Sequence, residues 1–177
     1  MFKCYYIDTN YLHSYIFMKN PQLKKFLSKK SMDEEIIRCE QFKEIIFNKN
    51  TEISIKVPFV VFGELFNNIN RYYADFDQNC INDLNNELFH LFGQKNIDLT
   101  PPDKKCYDLA NEIIQSESSF DSTDALIVSQ ALSDKDSIFL ATSDSKINES
   151  FGGGAIGRIN DRLYDNNDRY KKLKIYD

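Results

Sequence analysis

The chain lacks the residues on which several common kinds of functional site depend. It has no tryptophan, two histidines and six glycines in 177 residues. Its four cysteines are widely spread and form no C-x-x-C pair. With so few histidines and no paired cysteines, the sequence offers no ligand set of the zinc type, and we expect the cysteines to be reduced and structural.

Long apolar runs are also missing. No stretch approaches the ~18 apolar residues that cross a bilayer, and the first residues show no basic segment followed by an apolar one and a cleavage site. We therefore expect a cytoplasmic protein without a membrane partner. The net charge of −5 argues against a broad surface that coats nucleic acid, but it says little about a small cleft in which acids hold cations.

The composition that is present is that of one globular domain. Hydrophobic residues make up 42% of the chain and charged residues 28%, which is typical of a soluble protein with a packed core. The length suits a single domain of about 100–200 residues, so we predict one domain over 1–177. The glycine-rich, polar segment at about 148–168 is predicted to be an inserted loop with at most a short helix.

Strand and helix patterns alternate along the chain. The predicted strands are Phe2–Ile7, Ile53–Val57, Ile97–Thr100, Ser137–Ala141 and an edge strand Leu173–Tyr176. The predicted helices are Asn10–Lys19, Leu23–Leu27, a helix that starts with a capping box of Ser31 and Glu34, a helix with Pro58 at its first position, Asp75–Phe92, Asp103–Ser116 and Phe120–Leu132. This alternation predicts a three-layer α/β/α fold around a parallel sheet of four to five strands.

Four acids lie where such a sheet would bring them together. Asp8 and Asp144 end predicted strands, Asp124 lies in the first turn of a helix, and Glu64 lies on an otherwise apolar helix stripe. The working crevice of a parallel sheet lies beyond the carboxyl ends of its strands, so we expect one shared cleft. Clustered carboxylates repel one another unless a cation offsets the charge, and oxygen ligands suit Mg²⁺ or Mn²⁺.

Two of these assignments have a competing interpretation. Asp8 taken alone could merely cap the helix that follows it. Asp121 lies three residues before Asp124 on the same helical face and competes with it as a carboxylate of the site. We interpret Asp121 as the helix cap, because it precedes the helical pattern.

Four segments carry a resemblance to a known family: YIDTNYL, VPFVVFGELFNN, DSTDALIVSQAL and IFLATSD. In this order, and over nearly the whole chain, they resemble the PIN-domain nucleases, the VapC-like toxins of toxin–antitoxin pairs among them. The most specific part is Asp124 with the Ala-Leu-Ile that follows it, and a strand that ends in Thr142-Ser143-Asp144 about twenty residues later. By this resemblance the four acids match the family's acidic quartet, and Asn10 and Thr142 match polar positions beside it.

The resemblance implies a PIN-like fold and a divalent-metal-dependent endoribonuclease. One or two Mg²⁺ or Mn²⁺ ions at the quartet would orient and deprotonate a water for attack on a phosphodiester of RNA, preferably unpaired RNA. It also implies a small antitoxin as partner, and it is compatible with a homodimer. Tyr11, Tyr72 and Tyr73 could stack bases, although core packing is the favoured role for these tyrosines.

Two other functions remain open at this point. A PIN-like chain could keep its acids and act as an interaction or scaffold module without catalysis. A phosphatase with an aspartate nucleophile would need D-x-D-x-T after the first strand, whereas this chain reads DTNYL from Asp8 to Leu12. The phosphatase is therefore ranked third.

Overall fold

A computed structural model describes residues 3–20, 28–47, 52–72, 76–94, 96–166 and 172–176. Five strands form one sheet: β1 Lys3–Ile7, β2 Ile53–Pro58, β3 Ile97–Thr100, β4 Ser137–Ala141 and β5 Lys174–Tyr176. They pair in the order β3-β2-β1-β4-β5, and every pairing is parallel. The predicted parallel sheet is confirmed with five strands.

Eight helices of the described ranges flank this sheet: α1 Thr9–Lys19, α2 Lys29–Ile46, α3 Phe59–Tyr72, α4 Gln78–Phe92, α5 Lys104–Ser116, α6 Ser122–Ser133, α7 Ser145–Phe151 and α8 Ala155–Asp165. The α/β class predicted from the alternation is therefore confirmed. The predicted helix Leu23–Leu27 lies outside the described residues. None of the helices in the described ranges has both the length and the apolar character that crossing a bilayer requires.

The central strand β1 explains why the sheet forms around the start of the chain. Its residues Cys4 to Ile7 are all buried, as expected of a strand that is covered by helices on both faces. The strand has β2 on one side and β4 on the other. The carboxyl end of β1 therefore lies at the middle of one sheet edge, beside the carboxyl end of β4.

Two predicted helix starts are wrong by one to three residues. Pro58 is the last residue of β2, in register with Thr100 of β3, and α3 begins only at Phe59. In α2 the cap is Ser28, whose hydroxyl accepts the Ser31 backbone N–H at 3.2 Å. The predicted capping box of Ser31 is therefore wrong, because an earlier serine already satisfies the first turn.

The glycine-rich segment is not a loop. Residues 145–165 form α7 and α8, and the glycines concentrate in the turn between these two helices. The prediction of a loop with at most a short helix is wrong, because the apolar spacing of this segment outweighs its glycine content. Ile147, Ile156 and Ile159 are buried, and the last two are three residues apart on one face of α8.

Candidate active site

Asp8 lies directly after β1 and extends the pairing of β1 with β4, since its backbone N–H donates to the Ala141 carbonyl at 3.0 Å. Its side chain is buried, with the residue 4% exposed. One carboxylate oxygen, Oδ1, accepts the Thr9 N–H at 2.6 Å, and Oδ2 accepts the Thr142 hydroxyl at 2.7 Å. Asp8 does cap α1, as the simpler interpretation has it, but its second oxygen accepts a bond from Thr142, the residue directly after β4.

Thr142 connects two of the predicted acids. Its buried hydroxyl donates to Asp8 and accepts the backbone N–H of Asp144 at 3.1 Å. Asp144 in turn caps α7, because its Oδ1 accepts the N–H groups of Lys146 and Ile147 at 2.8 and 3.2 Å. The end of β4 thus holds Asp8 and Asp144 through one threonine side chain.

Glu64 is held by a residue that the sequence analysis did not single out. The hydroxyl of Thr9, the first residue of α1, donates to Glu64 Oε2 at 2.7 Å. Thr9 is 7% exposed, so this bond is largely shielded from water. Its one signal in the sequence is its place directly after Asp8, at the start of a helix. The bond brings the partly buried Glu64 of α3 to the end of β1.

Asp121 and Asp124 have different roles at the start of α6. Asp121 is the N-cap, and its Oδ1 accepts the N–H groups of Thr123 and Asp124 at 2.8 and 2.9 Å. The interpretation of Asp121 as the cap is therefore confirmed. Asp124 lies in the first turn and is partly buried. The hydrogen bonds of the described residues leave its carboxylate free for another partner.

The electrostatics show that the four acids share one neighbourhood. The pKa of Asp8 is raised to about 6, chiefly by burial and also by the charges of Glu64 and Asp144, while the hydrogen bonds from Thr142 and Thr9 oppose the rise. The pKa of Asp124 is also raised to about 6, by burial first and then by the charges of Asp121, Asp144, Asp8 and Glu64. Asp8 and Asp124 therefore interact electrostatically with each other and with Glu64 and Asp144.

The donor chemistry of this neighbourhood fits a hydrated hard cation. Within the described ranges, no three Asp, Glu, His or Cys side chains form a ready-made group for holding a metal ion. A closed cage is not what Mg²⁺ requires, because it keeps several waters and usually binds through one or two carboxylates. Oxygen donors whose negative charges repel one another suit Mg²⁺ or Mn²⁺, and the four cysteines are buried away from these acids.

The other residues named from the sequence lie in different surroundings. Asn10 is exposed in the first turn of α1. Tyr11 is fully buried, and its hydroxyl donates to the Tyr176 carbonyl at 3.3 Å, so it packs in the core as favoured. The Tyr72 side chain and Tyr73 lie outside the described residues. Burial therefore excludes base stacking by Tyr11, and base stacking by Tyr72 and Tyr73 stays a prediction.

Comparisons with known proteins give a likeness of fold. A chain of the VapBC2 complex from Rickettsia felis, in a crystal structure where the complex is bound to a DNA fragment from their promoter, matches with a TM-score of 0.53. The match covers 98% of this chain and 99% of that chain at 14% identity. No protein-family model matches the chain, and no curated protein sequence matches it. At this identity the likeness shows the α/β fold, which is consistent with the PIN-like fold expected from the four segments.

Proposed function

We propose that this chain is a divalent-metal-dependent endoribonuclease of the PIN type and the toxin of a toxin–antitoxin pair. The observation that carries the proposal is the gathering of Asp8, Glu64, Asp124 and Asp144, which come from four elements of the chain and act on one another's charge. A fold that gathers like charges stays stable more easily if a cation offsets their repulsion. A metal ion bound there would stabilise charge on the phosphate and lower the pKa of a water.

Each acid has a role that follows from its contacts. Asp8, Asp124 and Asp144 would hold the ion directly or through water. Glu64, which Thr9 fixes through its second oxygen, would be a ligand or would orient the attacking water. Thr142 keeps Asp8 in place with its hydroxyl. No protein nucleophile is needed, because the attacking group is water.

The first test is cleavage of RNA by the purified protein. We expect it to cut a mixed pool of single-stranded RNA in the presence of Mg²⁺ or Mn²⁺, to stop when EDTA removes the metal, and to resume when excess metal is restored. The measurement is the loss of full-length labelled RNA on a denaturing gel. The matched control is the Asp124→Ala protein, purified identically, which reports any contaminating nuclease. An intact RNA pool at every metal concentration would reject the nuclease and favour a PIN-like interaction module.

The second test concerns a partner. The VapBC2 structure from Rickettsia felis, to which the fold is similar, is bound to a DNA fragment from their promoter, and this likeness supports a protein partner for this chain too. We expect production of the chain alone to arrest growth, because cleavage of cellular RNA harms the host. Co-production of the protein encoded next to it should restore growth and give a complex that co-purifies. Normal growth during overproduction of the soluble chain would reject the toxin role, even if the nuclease were confirmed.

A further inference from the structure

The glycine-rich segment is held by one side chain from another part of the chain. Glu117 is the residue at which α5 ends. Its carboxylate oxygen Oε1 accepts the Ser150 hydroxyl at 3.0 Å and also accepts the backbone N–H of Ala155, the first residue of α8. Glu117 therefore bonds to both helices of this segment at the turn between them.

The Glu117 carboxylate caps the N-terminus of α8, because it accepts the N–H of the first residue of that helix. The N-cap residue of α8 is Gly154, which has no side chain to satisfy the first turn. A carboxylate at this end also meets the positive end of the helix dipole. The fit leaves no room for a larger residue, since a Cβ on Gly154 would clash with Glu117 Oε1 and lie 2.8 Å from Ser150 Cα. The glycine is needed for close approach.

The two segments that Glu117 joins each carry an acid of the candidate site. The short connection after Glu117 leads to the cap of α6, and Asp124 lies in the first turn of that helix. Ser150 belongs to α7, which begins at its cap Asp144. A second link follows the same route, because Lys146 Nζ donates to the Ser119 carbonyl at 3.4 Å. The connection that leads from α5 to α6 is thus tied to α7, the helix that Asp144 caps.

We propose that Glu117 is a positioning residue that holds the α6 start against α7 and so sets the separation of Asp124 from Asp144. Asp124 and Asp144 repel each other when no cation lies between them, and the bond from Ser150 to Glu117 opposes their separation because it holds the connection before α6 against α7. Residues that orient the ligands of a metal typically change its affinity 10–100-fold when they are removed. This inference rests on the proposed function, because it takes a metal ion as the ligand that the two acids share.

The test compares Glu117→Ala with Glu117→Gln, which keeps an acceptor oxygen at the same place. For the alanine variant we expect the Mn²⁺ affinity, measured by titration calorimetry on metal-free protein, to fall about 10-fold or more. The Mg²⁺ concentration for half-maximal cleavage should rise in parallel, with the KM for RNA unchanged at saturating metal. The glutamine variant should recover most of the affinity.

A matched control separates positioning from general loosening of α8. Glu112 of α5 makes two bonds to Arg162 of α8, at 2.8 and 2.9 Å, and contacts neither the turn nor the start of α6 in these bonds. Glu112→Ala should therefore leave the Mn²⁺ affinity unchanged. If Glu117→Ala does not fold, Ser150→Ala provides a second variant. It removes the bond from Ser150 to Glu117 and the acceptor of the Ile156 N–H, keeps the bond from Ala155 to Glu117, and should weaken Mn²⁺ binding by a smaller factor.

Hydrogen exchange of the backbone amides keeps this inference distinct from the proposed function. We expect Glu117→Ala to lose protection at the first turns of both α6 and α8, whether or not the protein cuts RNA. If the wild type binds Mn²⁺ but does not cut RNA, and Glu117→Ala binds Mn²⁺ more weakly, the nuclease is rejected and the role of Glu117 is supported. The role of Glu117 as a positioning residue would be overturned if Glu117→Ala lost protection at α8 alone, or if it kept the Mn²⁺ affinity of the wild type. If the wild type binds no metal, the exchange data decide: loss of protection at the first turn of α6 in Glu117→Ala supports the positioning role, and unchanged protection there overturns it.

Discussion

Replacing Asp124 with alanine is expected to lower the rate of metal-dependent RNA cleavage by at least roughly 100-fold, with little change in the melting temperature. Asp124 is partly buried among three other acids of the site, and its ionised form is disfavoured there without a cation, as the raised pKa of about 6 shows. Its side chain contributes negative charge to the cleft rather than packing. The measurement is the initial rate of cleavage at saturating Mg²⁺.

Asp121 provides the matched comparison, since it lies one helical turn earlier and carries the same carboxylate. Asp121→Ala removes the cap that accepts the N–H groups of Thr123 and Asp124, so we expect a loss of about 1 kcal/mol in stability. Cleavage should remain within a small factor of the wild-type rate. The reverse pattern, in which Asp121→Ala abolishes cleavage and Asp124→Ala spares it, would place the ligand one turn away. Full activity in both variants would reject the nuclease itself.

Asp8→Asn is expected to abolish cleavage while the metal-free protein stays as stable as the wild type or becomes more stable. At pH 7 the buried Asp8 is ionised, although its pKa in the folded protein is about 6 rather than the ordinary 3.8. Ionisation in the fold therefore lowers the free energy of unfolding by about 3 kcal/mol. Asparagine removes that cost and can still accept the Thr9 N–H. The NH2 group that replaces Oδ2 cannot accept the Thr142 hydroxyl, and an unsatisfied buried group costs about 1–3 kcal/mol. The two effects roughly cancel or favour the variant.

The same pKa gives the direction of the pH dependence. Because the pKa of Asp8 is raised in the folded state, the stabilisation by its proton is fully present below about pH 4 and is lost as the pH rises through about 6. The metal-free wild type should therefore become less stable over this range, and Asp8→Asn should lose the part of this pH dependence that comes from Asp8 while keeping the part that comes from Asp124, whose pKa is also raised to about 6. Thermal melting with and without Mg²⁺ measures both effects.

Asp108→Asn on the exposed face of α5 is the control for the change in net charge. It should leave cleavage, the pH dependence and the gain from Mg²⁺ at their wild-type values. The proposed metal site would be contradicted if the wild type gained no stability from Mg²⁺ and the Asp8→Asn protein melted at a far lower temperature than the wild type. Asp8 would then be a structural cap of α1.

Much of the fold could be predicted because its elements are specified by patterns a few residues long. The alternation Ile53, Ile55, Val57 predicts β2, and the run that ends at Ile7 predicts β1. Asp121 could be recognised as a cap because the helical pattern starts directly after it. The helix boundaries at Ser28 and Pro58 could not be placed as well, since several neighbouring residues can begin a helix and packing chooses among them.

The glycine-rich segment shows where local patterns fail. Gly152 to Gly154 suggest a loop when they are considered by themselves. The carboxylate that stabilises this turn belongs to Glu117, which is 33 residues before Ser150 and 38 before Ala155. No window of a few residues contains that contact, so the stabilisation of the turn and of the start of α8 could not be predicted from the segment alone.

The sequence by itself determined that a buried strand ends at Asp8, that strands and helices alternate, and that acids follow the strand ends. Each of these follows from side-chain periodicity and capping, which act between near neighbours. The tertiary structure alone decided which hydroxyl holds which acid. Thr142 reaches Asp8 across 134 residues and Thr9 reaches Glu64 across 55, because parallel pairing of β1 with β4 and packing of α3 bring distant segments to one edge. Contacts of that kind exist only when the sheet has formed.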